Sequence, residues 1–374
     1  MTRAALTRRV KEEAHRLGFE RVGIAPIRRS PRAAFLAEWL AAGMQGEMSY
    51  LARNPARRAD PAEVLPGARA AIVVGLSYAP APVPDDAPGI APHLSVYARG
   101  RDYHDVLGPP LRELLAFLRR EAGAAVDGRA YVDTGPLLER DLGAQAGMGW
   151  VGRNTMLLDQ QGSWFFLAEI LVDVELLPDS EVEDRCGTCT ACVDACPTGA
   201  LLDGTRMDAR RCISYLNIEL RGAIPADQRP DLGTHLFGCD ICQEVCPWNG
   251  RAPAAARPEF AASASVRAVT LAALLQLTPA AFSAAFRGSP LKRAKRAGLA
   301  RNAAVVLGNL GDRDASPALA AALRNHDDPL VRGHAAWALG ELGGAPARRA
   351  LARARREDPE REVQGEVERA LARS

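Results

Sequence analysis

Seven of the eight cysteines in this 374-residue chain fall into two runs, Cys186-x2-Cys189-x2-Cys192-x3-Cys196-Pro197 and Cys239-x2-Cys242-x3-Cys246-Pro247, with Cys212 between them. Eight thiolates satisfy two four-ligand iron–sulfur clusters with none left over. In the bacterial ferredoxin spacing, three closely spaced cysteines hold one cubane and the fourth, at the turn before proline, ligates the other. That rule assigns Cys186, Cys189, Cys192 and Cys246 to one cluster and Cys196, Cys212, Cys239 and Cys242 to the second. Clusters interleaved in this way are expected to lie close enough to pass electrons. Paired CxxC motifs also suit two structural zinc sites. The x2, x2, x3, Pro run and its continuation, Pro197-Thr198-Gly199-Ala200, favour cubanes, because zinc ribbons need neither. Disulfides are expected least: Met1 to Val10 is basic without the apolar core of a signal peptide, so the thiols are expected to stay reduced in the cytoplasm.

A chain of this length exceeds a ferredoxin and suits two or three domains. A quarter of its residues are charged, and no apolar stretch approaches the ~18 residues of a membrane span. The net charge of +2 is too small to imply a nucleic-acid partner, but its distribution is uneven. Lys292, Arg293, Lys295, Arg296 and Arg301 concentrate positive charge before and within the last helices, and Arg332 extends the set.

Leu6, Val10, Ala14 and Leu17 recur at helical spacing and Gly18 supplies a stop, which predicts a helix over Thr2 to Leu17. Further helices are expected over Pro31 to Ala42 and Leu111 to Arg120. Ala70 to Tyr78 reads as a buried strand ending in a Pro-rich loop, Pro80 to Pro92; Ala130 to Val132 and Trp164 to Leu177 read as two more strands. Helices alternating with strands up to residue ~180 predict an α/β domain with an open sheet. A Pro/Ala-rich linker, Arg251 to Ala264, follows the cysteines. Beyond it Leu299-x7-Leu307, Val331-x7-Leu339 and Val363-x7-Leu371 align with a spacing of 32 residues, the signature of short helical repeats rather than an ordinary Ala/Leu-rich bundle.

One-electron carriers need an acceptor, expected in the N-terminal domain. Gly147-x-Gly149-x2-Gly152 has the GxGxxG spacing but follows a helical rather than a strand segment, so it is not read as a dinucleotide fingerprint. The DxHxxG cobalamin box is absent: Asp102-x-His104-x3-Gly108 comes within one residue of it but opens a helix. Polar groups able to move protons gather at Arg101 to Asp105 and at Asp133, Glu139, Arg140 and Asp141. Asp133 is the sharpest signal, since it ends a short apolar strand before Gly135-Pro136.

Arg-Asp-Tyr-His (101 to 104), Val-Asp-Thr-Gly (132 to 135), Ala-Gly-Met-Gly-Trp-Val-Gly-Arg-Asn-Thr (146 to 155), Arg-Cys-Ile-Ser-Tyr-Leu (211 to 216) and Phe-Gly-Cys-Asp-Ile-Cys-Gln-Glu-Val-Cys-Pro (237 to 247) together resemble the epoxyqueuosine reductases. The resemblance runs essentially the whole chain. It implies an oxidoreductase with two [4Fe-4S] clusters and cobalamin that reduces epoxyqueuosine to queuosine at the wobble position of tRNA, the last step of queuosine biosynthesis. It also implies a multidomain α/β and α+β fold: a nitroreductase-like cobalamin-binding domain over 1–180, a ferredoxin-like double-cluster domain over 181–250, and HEAT-like helical repeats over 265–374 that bind tRNA.

Carried onto this sequence, the resemblance makes Asp133 the proton donor, with Asp102, Tyr103, His104 and Arg140 beside it. Arg58, Asp133, Ser214 and Asp240 become cobalamin contacts. The basic residues Lys292, Arg293, Lys295, Arg296, Arg301 and Arg332 become candidates for tRNA phosphates. A low-potential electron donor is required, no membrane is involved, and a monomer is expected. Two other readings stay open on sequence: a cobalamin-dependent reductive dehalogenase, and a non-enzymatic iron–sulfur electron-transfer or scaffold protein.

Overall fold

Thr2 opens the first helix, α1 (Arg3–Arg16), by accepting the backbone N–H of Ala5 at 3.2 Å on its hydroxyl, as an N-cap should. In this computed structural model, residues 1–79, 87–123, 125–254 and 257–373 are described. Pro80 to Asp86 of the expected Pro-rich loop, and 255–256 of the expected linker, lie outside them.

The described residues fall into two compact units that interleave along the chain. The first takes in Met1–Ala81, Asp102–Ala209 and Asp240–Glu259; the second takes in Pro82–Arg101, Arg210–Cys239 and Phe260–Ser374. The cysteine-rich segment is therefore divided: Cys212 and Cys239 belong to the second unit and the other six cysteines to the first.

The core of the first unit is a four-stranded sheet of β1 (Arg21–Pro26), β2 (Ala70–Ser77), β3 (Gly128–Tyr131) and β4 (Phe165–Val172), in the order β1-β2-β4-β3 with every pairing antiparallel. The alternation of helices and strands thus produces the α+β form of the expected fold. β2 and β4 lie in the middle and are buried along almost their whole length, which is why they read as unbroken apolar runs instead of alternating ones. β1 is an edge strand with Gly23 inside and Pro26 at its end, a composition that hides a strand from sequence and that only an edge tolerates. Against the sheet pack α1, α3 (Tyr103–Ala122) and α4 (Glu139–Gln145), and the same unit holds α2 (Ala33–Ala41).

Helix α3 begins at Tyr103, well before Leu111, because the Asp102 side chain accepts the His104 N–H at 3.0 Å and caps it. Pro109 and Pro110 sit inside the helix. They withhold two amides, yet the buried stripe Leu107, Leu111, Leu114 and Leu118 continues past them and carries the helix through.

In the second unit, α5 (Lys295–Leu310), α6 (Ser316–Asn325), α7 (Pro329–Leu342), α8 (Gly344–Glu357) and α9 (Arg361–Arg373) form the helical repeats. The alignment at 32 residues pairs α5 with α7 and α7 with α9, and those are the helices that pack together. Equivalent glycines make the approach possible. A Cβ on Gly308 would lie 2.7 Å from the Trp337 ring and 3.1 Å from Ala338 Cα, and one on Gly340 would lie 2.9 Å from Ala370 Cα.

These helices also fasten the Arg210–Cys239 segment. The Arg301 guanidinium, 1% exposed, donates to the carbonyls of Leu216, Leu220 and Gly222 at 2.7 to 2.9 Å. Asn302 donates to Asn217 O and Leu236 O, and Asn309 to Arg229 O and Gly233 O. On α7, His334 Nε2 accepts the Ile224 N–H; on α9, Glu366 pairs with the buried Arg229 at 2.7 Å.

Gly308→Val and Gly340→Val should each destabilise the second unit by about 1–3 kcal/mol through overpacking, seen as a lower denaturant midpoint. Gly298→Ala is the control: its new Cβ would meet only Ala294 at 3.8 Å, and it should be neutral or stabilise by up to ~1 kcal/mol.

Candidate functional site

The cap of α3 is also the edge of a polar constellation. Asp102 Oδ1 lies 2.6 Å from His104 Nδ1 as well as accepting the His104 amide. That contact assigns the ring proton to Nδ1 and aims Nε2 at Asp133 Oδ2, 3.9 Å away. Nε2 is buried and has no hydrogen-bond partner. The Tyr103 hydroxyl donates to the same Asp133 Oδ2 at 2.6 Å. Its ring is held by stacking on Phe166, with centroids 4.6 Å apart and planes within 10°, and Phe166 packs in turn on Tyr78.

Asp133 stands two residues past the end of β3 with φ at 57°. The Thr134 N–H reaches back to Val132 O at 2.6 Å, which makes Asp133 the centre of a γ-turn of the rare positive-φ kind. The turn closes over Tyr131, where a Cβ on Gly135 would come within 2.8 Å of the ring. The Asp133 side chain stays 58% exposed, so a strained turn presents a carboxyl group outward between a tyrosine and a histidine.

Electrostatics separate the carboxyls of this region. Burial works to raise the pKa of Asp102, but its hydrogen bonds from His104 overcome that and leave it below the usual carboxylate range. The same hydrogen bond to Asp102 raises His104. Glu139, at the start of α4, is pushed up to about 8 by burial and by the neighbouring Asp133 charge. Glu169, at the centre of β4 and 0% exposed, is held well above the carboxylate range by burial and by Glu139. Arg58, from a short helix (Pro55–Ala59), has a buried Nε without a partner and is within electrostatic reach of Glu139 and Asp133. Arg140 follows Glu139 and donates to the carbonyl and hydroxyl of Thr155.

Thr155 ends the Gly-rich motif, which folds into a small hairpin, Trp150–Val151 against Leu157–Leu158. Gly149 must be glycine, since a Cβ there would overlap Leu158 O at 1.9 Å. Asn154, buried in the turn, donates to Cys242 O at 3.3 Å. Beside the hairpin Cys186, Cys189, Cys192 and Cys246 line a single cavity of about 230 Å³, with Arg153, Asn154 and Trp248 among its walls. Among the described residues no three His, Cys, Asp or Glu side chains converge as ligands of one metal ion would.

The structure thus brings Arg58, Asp102, Tyr103, His104, Asp133 and Arg140 into one region of the first unit. Asp240, in the same unit, is buried and precedes a short helix, Ile241–Glu244, without a side-chain capping bond. Ser214 lies half-buried in the second unit. Of the basic residues, Lys292, Arg293 and Lys295 are exposed; Arg293 pairs with Glu219 and Arg296 with Asp327. Arg301 and Arg332 are corrected: Arg301 is spent on buried carbonyls, and Arg332 is buried against Asp358 at 2.8 Å. Composition cannot separate an arginine that holds a fold from one that meets a phosphate. Glu169 escaped the sequence reading, although a lone acid in the apolar run Phe-Phe-Leu-Ala-Glu-Ile-Leu-Val is a visible signal.

Three family models match the chain: "Epoxyqueuosine reductase QueG, DUF1730" over 58–134, "4Fe-4S double cluster binding domain" over 185–249 and "HEAT repeats" over 291–372. The chain is 41% identical over 339 residues to the epoxyqueuosine reductase of Xanthomonas campestris pv. campestris, covering 88% of this chain and 94% of that one. It is similar to a crystal structure of an epoxyqueuosine reductase with an epoxyqueuosine-modified tRNA-Tyr stem loop, at 30% identity and a TM-score of 0.90, covering 99% of this chain and 98% of the other. It is similar too to the Bacillus subtilis epoxyqueuosine reductase solved with its catalytic aspartate loop swung out of the active site, at 29% identity and a TM-score of 0.89, covering 99% of each.

Asp102→Asn removes the charge that holds the His104 proton, so the ring should titrate at lower pH than in the unaltered protein, as followed by NMR of the ring resonances. An unmoved titration would show that Asp102 does not set the histidine's charge.

Proposed function

This chain belongs to the epoxyqueuosine reductase family, and from that premise we propose that it reduces epoxyqueuosine to queuosine at the wobble position of tRNA, the last step of queuosine biosynthesis, using cobalamin and two [4Fe-4S] clusters. The family makes it an oxidoreductase. The tRNA-bound relative supports an RNA substrate, and the family names weigh against the dehalogenase and scaffold readings. The observation that carries the mechanism is Asp133, turned outward on a strained loop with Tyr103 and His104 against one of its oxygens.

Converting an epoxide to an alkene removes one oxygen as water, which takes two electrons and two protons. Cobalamin, when bound, supplies the electrons, fed singly from the clusters. The chain's own residues manage the protons. Asp133 gives its proton to the oxygen as the ring opens, neutralising the alkoxide as it forms. Tyr103 fixes the donor oxygen, and Asp102 holds the His104 ring with its Nε2 toward the carboxylate that remains. Buried Arg58 Nε and His104 Nε2, both without partners, fit a ligand rimmed with polar amides, as a corrin is. Arg58 and Asp133 with Ser214 and Asp240 are the proposed cobalamin contacts.

For the clusters, the four thiols assigned to the first already line one cavity of about 230 Å³, room for a multi-atom centre. Cys196, Cys212, Cys239 and Cys242 are proposed for the second. The three segments 1–180, 181–250 and 265–374 would then serve as catalytic, electron-relay and tRNA-binding parts. Lys292 and Lys295 are the leading phosphate contacts, with Arg293 and Arg296 shared between phosphate and their carboxylates. No described helix is long and apolar enough to cross a membrane. A cytoplasmic location, a monomer and a low-potential reductant complete the reading.

Asp133→Asn should retain wild-type iron and corrinoid content and lose at least about 100-fold in turnover of epoxyqueuosine-bearing tRNA, assayed anaerobically with a low-potential reductant. Full turnover would remove Asp133 from its role. The double variant Lys292→Glu, Lys295→Glu should weaken tRNA binding and flatten its salt dependence by about 1–2 in logarithmic slope, with cofactor content unchanged. An unaltered slope would take these lysines out of the interface.

A further inference from the structure

Glu169 sits where a carboxylate should not be. In the sheet register it lies between Val73 on β2 and Tyr131 on β3, on the same strand face as Phe165, Leu167 and Leu171, which belong to the apolar core with Leu142 and Val73. It is wholly buried, and neither carboxyl oxygen has a hydrogen-bond partner. An ionised group cannot be left so without a large desolvation cost. Glu139 faces it from the start of α4 with its Oε1 buried and equally unpartnered. Two ionised carboxylates can only repel, whereas one that keeps its proton can donate to the other.

The pair is also tied to the reacting loop, because Glu139 lies within electrostatic reach of Asp133. The charged groups that face Glu139 are Asp133, Arg140, Arg58 and Glu169; those that face Glu169 are Glu139 and Asp133, with the Tyr131 ring alongside on β3. The store that such a pair could hold matches a need of the chemistry. Each turnover consumes two protons, and Asp133 carries one.

We propose that Glu139 and Glu169 enter the reaction protonated and form an internal proton store behind Asp133. The inference rests on the proposed reduction. Asp133 releases its proton to the epoxide oxygen and becomes a carboxylate. Glu139 then reprotonates it, and Asp133 delivers this second proton to complete the water that leaves. The two electrons come from the reductant through the cofactors. Glu169 keeps its proton throughout and donates it as a hydrogen bond to the new Glu139 carboxylate, while Arg140 and Arg58 offset the charge. The store reloads from solvent between turnovers. Neither glutamate touches substrate; both act through Asp133 and are positioning residues.

The store is full below the pH at which Glu139 titrates, about 8, and empties above it. Two measurements on the full-length holoprotein test the proposal. In infrared spectra at neutral pH the protein should show the carbonyl stretch of protonated buried carboxyls, and Glu169→Gln and Glu139→Gln should each remove part of that band. If neither variant alters it, the carboxyls are ionised and the store does not exist.

In single-turnover assays with epoxyqueuosine-bearing tRNA, the wild-type rate should fall as pH rises through about 8. Glu139→Gln should lower the rate about tenfold at neutral pH and abolish that limb. Glu169→Gln should leave the limb but shift it to higher pH, since the hydrogen bond that stabilises the Glu139 carboxylate is weakened, and Glu169→Asp should restore it in part. Variant profiles that superimpose on the wild type would overturn the proposal. Absence of any turnover by the wild-type holoprotein would instead sink the reductase reading, and the infrared band would still report on the pair.

Discussion

The buried guanidinium of Arg301 is the fixture on which the second unit depends. Its donors are consumed by the carbonyls of Leu216, Leu220 and Gly222 and by its neighbour Asn302. An extended segment with little regular structure cannot satisfy its own carbonyls, and burying them unpaired would cost about 1–3 kcal/mol each. Asn302 and Asn309 donate to further carbonyls of the segment, while His334 accepts its Ile224 N–H and Glu366 accepts from its Arg229 side chain. The repeats are thus no detachable tail. They hold the Arg210–Cys239 segment, which carries Cys212 near one end and Cys239 at the other, and a cluster that needs those thiols needs the repeats to be folded.

In the first unit one small region sets its carboxyl groups to different tasks by environment alone. Asp102, given an amide and a ring nitrogen to bind, is held below the usual carboxylate range and raises the pKa of the histidine it orients. Glu139 and Glu169, given burial and each other, are pushed above the usual carboxylate range. Asp133 stands between them on a strained turn, open to solvent. Separation of acid and base character among like groups by burial and by partner is the arrangement that proton-transfer chemistry requires.

Much of this was legible before any coordinates. The cysteine spacing named the cluster chemistry, because thiolate geometry around a cubane allows few spacings. The repeat of 32 residues announced helical repeats, and the helices it aligns are ones that pack together. The motifs around Asp102, Tyr103, His104 and Asp133 pointed to residues that the fold does gather. What escaped was everything set by environment. Arg301 and Arg332 looked like members of a basic patch, and burial made them structural. The edge strand β1 was hidden by its glycine and proline, and α3 was foreshortened by two prolines that a buried leucine stripe overrides.

By itself the sequence determined the kinds of chemistry present, since ligand type, ligand spacing and helical period are local properties written along the chain. Only the tertiary structure decided which charges meet water and which meet each other. Hydrogen bonding and desolvation depend on neighbours brought from distant segments, as when Val73 and Tyr131 close over Glu169 and Tyr103 reaches Asp133 across thirty positions of chain. No pattern along a single segment can state those contacts, and the protonation of a buried carboxyl follows from nothing else.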